Sequence, residues 1–270
     1  MSDKAAMLNS QRFQLIGTAG LGNPRSRVAQ SMAYFQDTLY VGVTHPRGAG
    51  SEDRARILRY DPLQAVWHTM FVSPLTAPDS RAFARDVLRR RAPGQNSTSA
   101  VPRYRGFCAM TVFQGRSDPT PALYVSTICH WGADLLRSLD GEQFEAVSLT
   151  GLDRGQLLSF RALLGHGHKL FIAPTGAVGE QEYDCNFSGD PTVYVPADPL
   201  NGVWQPAMEP GFGDPSNRAI TALASFANHL YAATGNPERG FQLWKTSARG
   251  KPPYRWHPVL RDGAGRYNLN

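Results

Sequence analysis

Short apolar runs alternate with polar turns along the whole chain. Runs such as Leu39-Tyr-Val-Gly-Val-Thr44, Ala122-Leu-Tyr-Val-Ser-Thr-Ile128 and Leu230-Tyr-Ala-Ala233 are rich in β-branched or aromatic residues and are bounded by Gly, Pro, Asn or Asp. That combination predicts β-strands, because a buried helix needs a longer segment with a 3.6-residue period. No apolar run approaches the about 18 residues that a membrane helix requires.

The strands recur as a unit. Arg27-Val-Ala-Gln-Ser-Met-Ala-Tyr-Phe35, Arg105-Gly-Phe-Cys-Ala-Met-Thr-Val-Phe113 and Arg218-Ala-Ile-Thr-Ala-Leu-Ala-Ser-Phe226 share an Arg, a Met or Leu at the sixth place and a Phe at the ninth. Each is followed by a strand opening on Leu-Tyr, at Leu39, Leu123 and Leu230. A looser copy is Ser159-Phe-Arg-Ala-Leu-Leu164, followed by Leu170-Phe171. Every copy then adds a third strand, a turn, and a last strand with one large aromatic, as in Ile57–Asp61 leading to Trp67. Four-stranded antiparallel units of roughly 40–50 residues predict β-propeller blades. The expected fold is therefore all-β, with about four blades at 28–73, 105–149, 158–208 and 218–260 of a propeller over 13–270, after a tail at 1–12. Phe35, Phe113, Phe226, Trp67, Trp204 and Trp256 are expected to pack blade against blade.

The segments Gly211-Phe-Gly-Asp-Pro-Ser-Asn-Arg218, Gly240-Phe-Gln-Leu-Trp-Lys-Thr246, Tyr104-Arg-Gly-Phe107 and Phe113-Gln-Gly-Arg-Ser-Asp118 resemble those of bacterial kelch-like or YVTN-like propeller proteins, mostly of unassigned function. The tandem glycines of true kelch repeats are absent. The resemblance implies a longer propeller, of about seven blades. Gly263-Ala-Gly-Arg-Tyr-Asn-Leu-Asn270 reads as the start of a further blade, because similar turns, Gly20-Leu-Gly-Asn-Pro24 and Gly211-Phe-Gly-Asp-Pro215, precede two of the four. Two readings stay open: an incomplete part of a larger propeller, or four blades closing a small ring. An open arc would leave apolar blade faces that invite self-association.

Charge is concentrated. Between Arg81 and Arg105 seven arginines face Asp86 alone, so this segment accounts for the chain's whole net charge of +6. It lies in a basic insertion at 77–104, where Asp79-Ser80 is placed to cap a helix over Arg81–Arg91, a candidate lid. The rest of the chain has no nucleic-acid-binding pattern, so nucleic acid is not an expected partner. Three cysteines, Cys108, Cys129 and Cys185, form neither a disulfide framework nor a zinc knuckle. The N-terminal segment lacks the apolar stretch of a secretory signal, and a cytoplasmic chain is the expectation.

Propeller geometry places the start of each first strand and the end of each second strand on one face. Arg27, Arg105 and Arg218 begin first strands, while His45, His130 and Asn236 follow second strands. Arg161 stands in the looser copy where the others carry Met or Leu and is expected to point into the tunnel. These seven residues define a candidate funnel. Guanidiniums around one mouth suit a carboxylate or phosphate, through charge-assisted hydrogen bonds. No cofactor or metal is expected: His166-Gly-His168 is placed in a turn on the opposite face, and nothing pairs Glu180, Glu182 or Asp184 as the carboxylates of a glycosidase. No nucleophile-elbow, metalloprotease or phosphate-loop motif appears. The expected function is a scaffold binding a protein partner or small anionic ligand at this funnel. The alternative is an enzyme, a hydrolase or transferase, with Arg as anion stabiliser and His45 or His130 as general base.

Overall fold

The structure is a computed structural model and describes residues 15–17, 20–26, 28–45, 54–76, 100–129, 132–148, 150–153, 157–177, 190–201 and 203–265. Arg27, His130, the tail at 1–12, the expected lid at 81–91 and the carboxylates of the 178–189 stretch lie outside these residues. So does most of the expected start of a further blade, from 266 onward.

The chain folds into four antiparallel meanders. Blade I comprises β1 (Val28–Phe35), β2 (Thr38–Thr44), β3 (Arg56–Asp61) and β4 (Val66–Val72). A two-stranded ribbon of β5 (Leu75–Thr76) and β6 (Val101–Pro102) leads on to blade II. That blade holds β7 (Gly106–Phe113), β8 (Ala122–Ile128), β9 (Leu135–Ser138) and β10 (Glu145–Ala146). Blade III holds β11 (Leu157–His166), β12 (Lys169–Ala177), β13 (Tyr194–Pro196) and β14 (Trp204–Pro206). Blade IV holds β15 (Ala219–Phe226), β16 (His229–Gly235), β17 (Leu243–Thr246) and β18 (His257–Leu260). The first two strands of blades I and IV are joined by two-residue turns at Gln36-Asp37 and Ala227-Asn228, all four residues at positive φ. Such left-handed turns match the natural twist of a hairpin. No helix of the described residues is long and apolar enough to cross a membrane.

The blades pack face to face through their first strands, β1 on β7, β7 on β11 and β11 on β15. Between blades I and II lie Phe35, Tyr40, Phe107 and Met110, with Phe71 meeting Phe107 edge-on. Phe113, Tyr124, Phe160 and Leu163 fill the next interface, and Ala162, Phe171, Ile220 and Leu230 the third. Backbone bonds stitch the seams: His45 N donates to Arg105 O at 2.8 Å, and Cys129 N to Leu158 O at 2.8 Å. Among the described residues no packing of that extent returns from blade IV to blade I, so the four blades form an open arc. One packing expectation fails here. Phe226 is 72% exposed, because among the described residues no blade stands against the face of blade IV that it occupies.

Candidate active site

The four first strands form the inner wall of the arc, and each is interrupted at the same place. The register skips Gln30 in β1, Cys108 in β7, Arg161 in β11 and Thr221 in β15. An extra residue of this kind is a β-bulge, which turns one side chain out of the pleat. Counting from the bulge, Leu163 is the residue that matches Met32, Met110 and Leu223. Arg161 therefore occupies the bulge and not the Met/Leu slot expected from sequence. Serines close the gaps the bulges leave. Ser31 Oγ donates to Phe107 O at 2.8 Å and Ser126 Oγ to Phe160 O at 2.7 Å.

Three of the bulge residues form a polar seam. Gln30 Nε2 donates to Cys108 Sγ at 3.6 Å. Burial pushes the Cys108 thiol up to about 12, against the charge of Arg161 and a hydrogen bond with Ser159, which both favour the thiolate. Among the described residues the seam carries no carboxylate. Two buried aspartates of blade II are committed to structure: Asp118 binds Arg137, Tyr124 and the Gly115 amide, and Asp134 binds Arg103 and Tyr104. Among the described residues no group of three His, Cys, Asp or Glu side chains is placed to hold a metal ion.

A different pair has the geometry of a nucleophile and its base. Ser225, the penultimate residue of β15, places Oγ 2.8 Å from Nδ1 of His166, the last residue of β11. The bond crosses the seam between blades III and IV. Ser225 is exposed and His166 half-buried. Burial, reinforced by the positive charge of His229 and Lys169 nearby, lowers the pKa of His166 below its ordinary value of 6.5. The imidazole is thus neutral at pH 7 and able to accept a proton. Its ring lies near Phe171, with centroids 6.4 Å apart. Lys169 is held by the carbonyls of Ala248, at 2.7 Å, and Gly250, at 3.1 Å.

The expected funnel residues are placed as follows. His45 is 3% exposed at the end of β2, joined to Arg105 through the backbone bond that seals blade I to blade II. Arg218 is exposed, its amide bonded to Gly235 O at 2.8 Å. Asn236 is buried as a loop clamp: its Oδ1 accepts from the amides of Glu238 and Arg239, and its Nδ2 donates to Asn217 Oδ1 at 3.0 Å. Arg161 belongs to the seam with Cys108. Sequence reading missed Ser225 altogether and left His166 in a hairpin turn. The signal was present: His166 stands three places before Lys169 and three after Leu163, so it takes the slot that Phe35, Phe113 and Phe226 occupy in the other blades.

No family model matches the chain, and no curated protein matches it. Among solved structures it is similar to the GH93 α-L-arabinofuranosidase of Fusarium graminearum in complex with arabinobiose, at 11% identity over 90% of this chain and 69% of that one, with a TM-score of 0.48. It is also similar to the GH43_1 enzyme from Xanthomonas citri complexed with xylotriose, at 12% identity over 86% and 72% of the two chains, with a TM-score of 0.42. A third is a family 43 arabinoxylan arabinofuranohydrolase from Bacillus subtilis, at 11% identity over 88% of this chain and 54% of that one, with a TM-score of 0.45. These neighbours are glycoside hydrolases and not kelch-like repeat proteins, which corrects the kelch-like or YVTN-like resemblance and the non-catalytic scaffold expected with it. The likeness concerns the arrangement of strands. The reaction has to be argued from this chain's own side chains.

Proposed function

We propose that the chain is a hydrolase that works by acyl transfer, with Ser225 as nucleophile and His166 as general base. The observation that carries this reading is the 2.8 Å contact between Ser225 Oγ and His166 Nδ1, with the serine open to solvent. A hydroxyl is a weak nucleophile until a neighbouring base takes its proton, and this distance is within reach for that transfer. Nδ1 acts as acceptor in the tautomer that carries its proton on Nε2. As Ser225 Oγ bonds the carbonyl carbon of an ester, its proton passes to His166 Nδ1. The imidazolium then protonates the departing alkoxide. Water, activated by the same nitrogen, releases the acid and restores the serine. Lys169, whose charge already acts on His166, supplies a positive field for the oxyanion.

The substrate class is a carboxylic ester. Arg161 lies five residues before His166 on β11, about 17 Å at a rise of roughly 3.3 Å per residue. It is too distant to stabilise the oxyanion and suits a remote anionic group of a longer substrate. A double-carboxylate glycosidase route is not proposed, since the wall residues at the bulges are Gln30, Cys108, Arg161 and Thr221. A cytoplasmic location fits the free thiol of Cys108, which a reducing compartment preserves.

The test is turnover of a panel of p-nitrophenyl esters by the parent chain, Ser225→Ala and His166→Ala. The parent should hydrolyse at least one ester, and each variant should lose about 10²–10⁴-fold in kcat with its melting temperature kept. No turnover by the parent, or full turnover by both variants, would overturn the reading.

A further inference from the structure

Among the described residues, two faces of the arc lack the covering that every internal blade face has. Downstream of each bulge, alternate residues of the first strand point to opposite neighbours. In β1, Ser31 and Phe35 face blade II, where Ser31 Oγ bonds Phe107 O. In β7, Met110 faces back to blade I, where it meets Gly42. The same alternation in β15 turns Ser225 towards blade III, as its bond to His166 records. It leaves Ala222, Ala224 and Phe226 on the far side, all exposed. Phe226 there is 72% exposed and leans on Tyr231, with ring centroids 6.4 Å apart. At the other end of the arc, Met32 and Tyr34 of β1 hold the slots of Met110 and Val112 and are 66% and 67% exposed.

We propose that these two faces bind each other between copies of the chain, head to tail: the far face of blade IV receives the leading face of blade I from a second copy. The argument is register. Inside the arc, Met110 and its neighbours on a leading face cover the Phe35 slot of the blade before, and Phe35 is 4% exposed as a result. Met32 presents the same residue type at the same place as Met110, and Phe226 the same residue type at the same place as Phe35. Each exposed face is thus the partner its counterpart has inside the molecule. The contact is heterologous, so a pair of copies keeps one free face at each end and can recruit another.

Sedimentation over a range of concentrations tests it, with Met32→Asp and Phe226→Asp. Both positions are exposed, so both variants should melt like the parent. The parent should associate with rising concentration, and each variant alone should sediment as a monomer. An equal mixture of the two should form a dimer and nothing larger, because Met32→Asp keeps an intact far face and Phe226→Asp an intact leading face. A parent that stays monomeric at all concentrations would overturn the proposal, as would a mixture that fails to pair or a variant that still assembles alone.

Discussion

Phe113 and Phe226 hold the same position in the first strands of blades II and IV, yet Phe113 is 8% exposed and Phe226 72%. The difference lies in what stands opposite. Phe113 lies against Gly165 of blade III, whereas no described residue of a further blade covers Phe226. Removing the two rings should therefore have unequal effects. Phe113→Ala should cost about 3–5 kcal/mol of unfolding free energy, the range for a buried Phe. Phe226→Ala, measured in dilute monomeric protein, should stay within about 0.5 kcal/mol of the parent, as surface changes do. Urea denaturation of both variants gives the comparison, and equal losses would contradict the open arc.

Blade II is further pinned by an ion pair removed from water. Arg137 Nε lies 2.6 Å from Asp118 Oδ1, with side chains 8% and 0% exposed. Tyr124 Oη donates to the other carboxylate oxygen at 2.6 Å. Asp118→Ala would leave the guanidinium and the phenol without this acceptor. Breaking one side of a buried pair is expected to cost about 3–5 kcal/mol, and a thermal melt with little change would show that the pair is dispensable.

The thiol on the inner wall should be sluggish. Alkylation proceeds through the thiolate, and burial pushes the Cys108 thiol up to about 12. Iodoacetamide at pH 8 should label Cys108 much more slowly than a free cysteine in a peptide. Arg161→Ala should slow it further, because the guanidinium favours the thiolate. Labelling of Cys108 at the peptide rate would contradict the burial described for it.

The depressed pKa of His166 fixes the direction of a pH profile. A general base works only when deprotonated, and His166 loses its proton at a lower pH than an ordinary histidine at 6.5. Ester hydrolysis, followed as kcat/KM, should therefore rise with pH through a midpoint below 6.5 and level off above it. Lys169→Ala removes one of the charges that depress the pKa, so the midpoint should move up in that variant. A midpoint above 6.5 in the parent would exclude His166 as the base.

The blades were legible in sequence because period-two alternation and the Arg-to-Phe spacing are local properties of each strand. The four meanders follow from them. Phe226 misled because its spacing is that of Phe35, and spacing does not reveal whether a further blade stands opposite. Arg161 misled because a bulge shifts register by one, and only the pairing of Phe160 with Pro174 and Ala162 with Ala173 exposes it. The Ser225–His166 contact joins residues 59 apart from two different blades. No motif encodes it, since it arises from the packing of one first strand on the next.

The central claim is that Ser225 is a nucleophile activated by His166. The most direct measurement is reaction with a fluorophosphonate, an electrophile that captures activated serines, followed by peptide mass analysis. The account predicts one phosphonylated peptide, containing Ser225, in the parent chain. Labelling should be lost in Ser225→Ala and strongly slowed in His166→Ala. A parent that takes up no label, or a label mapped to a different residue, would contradict it.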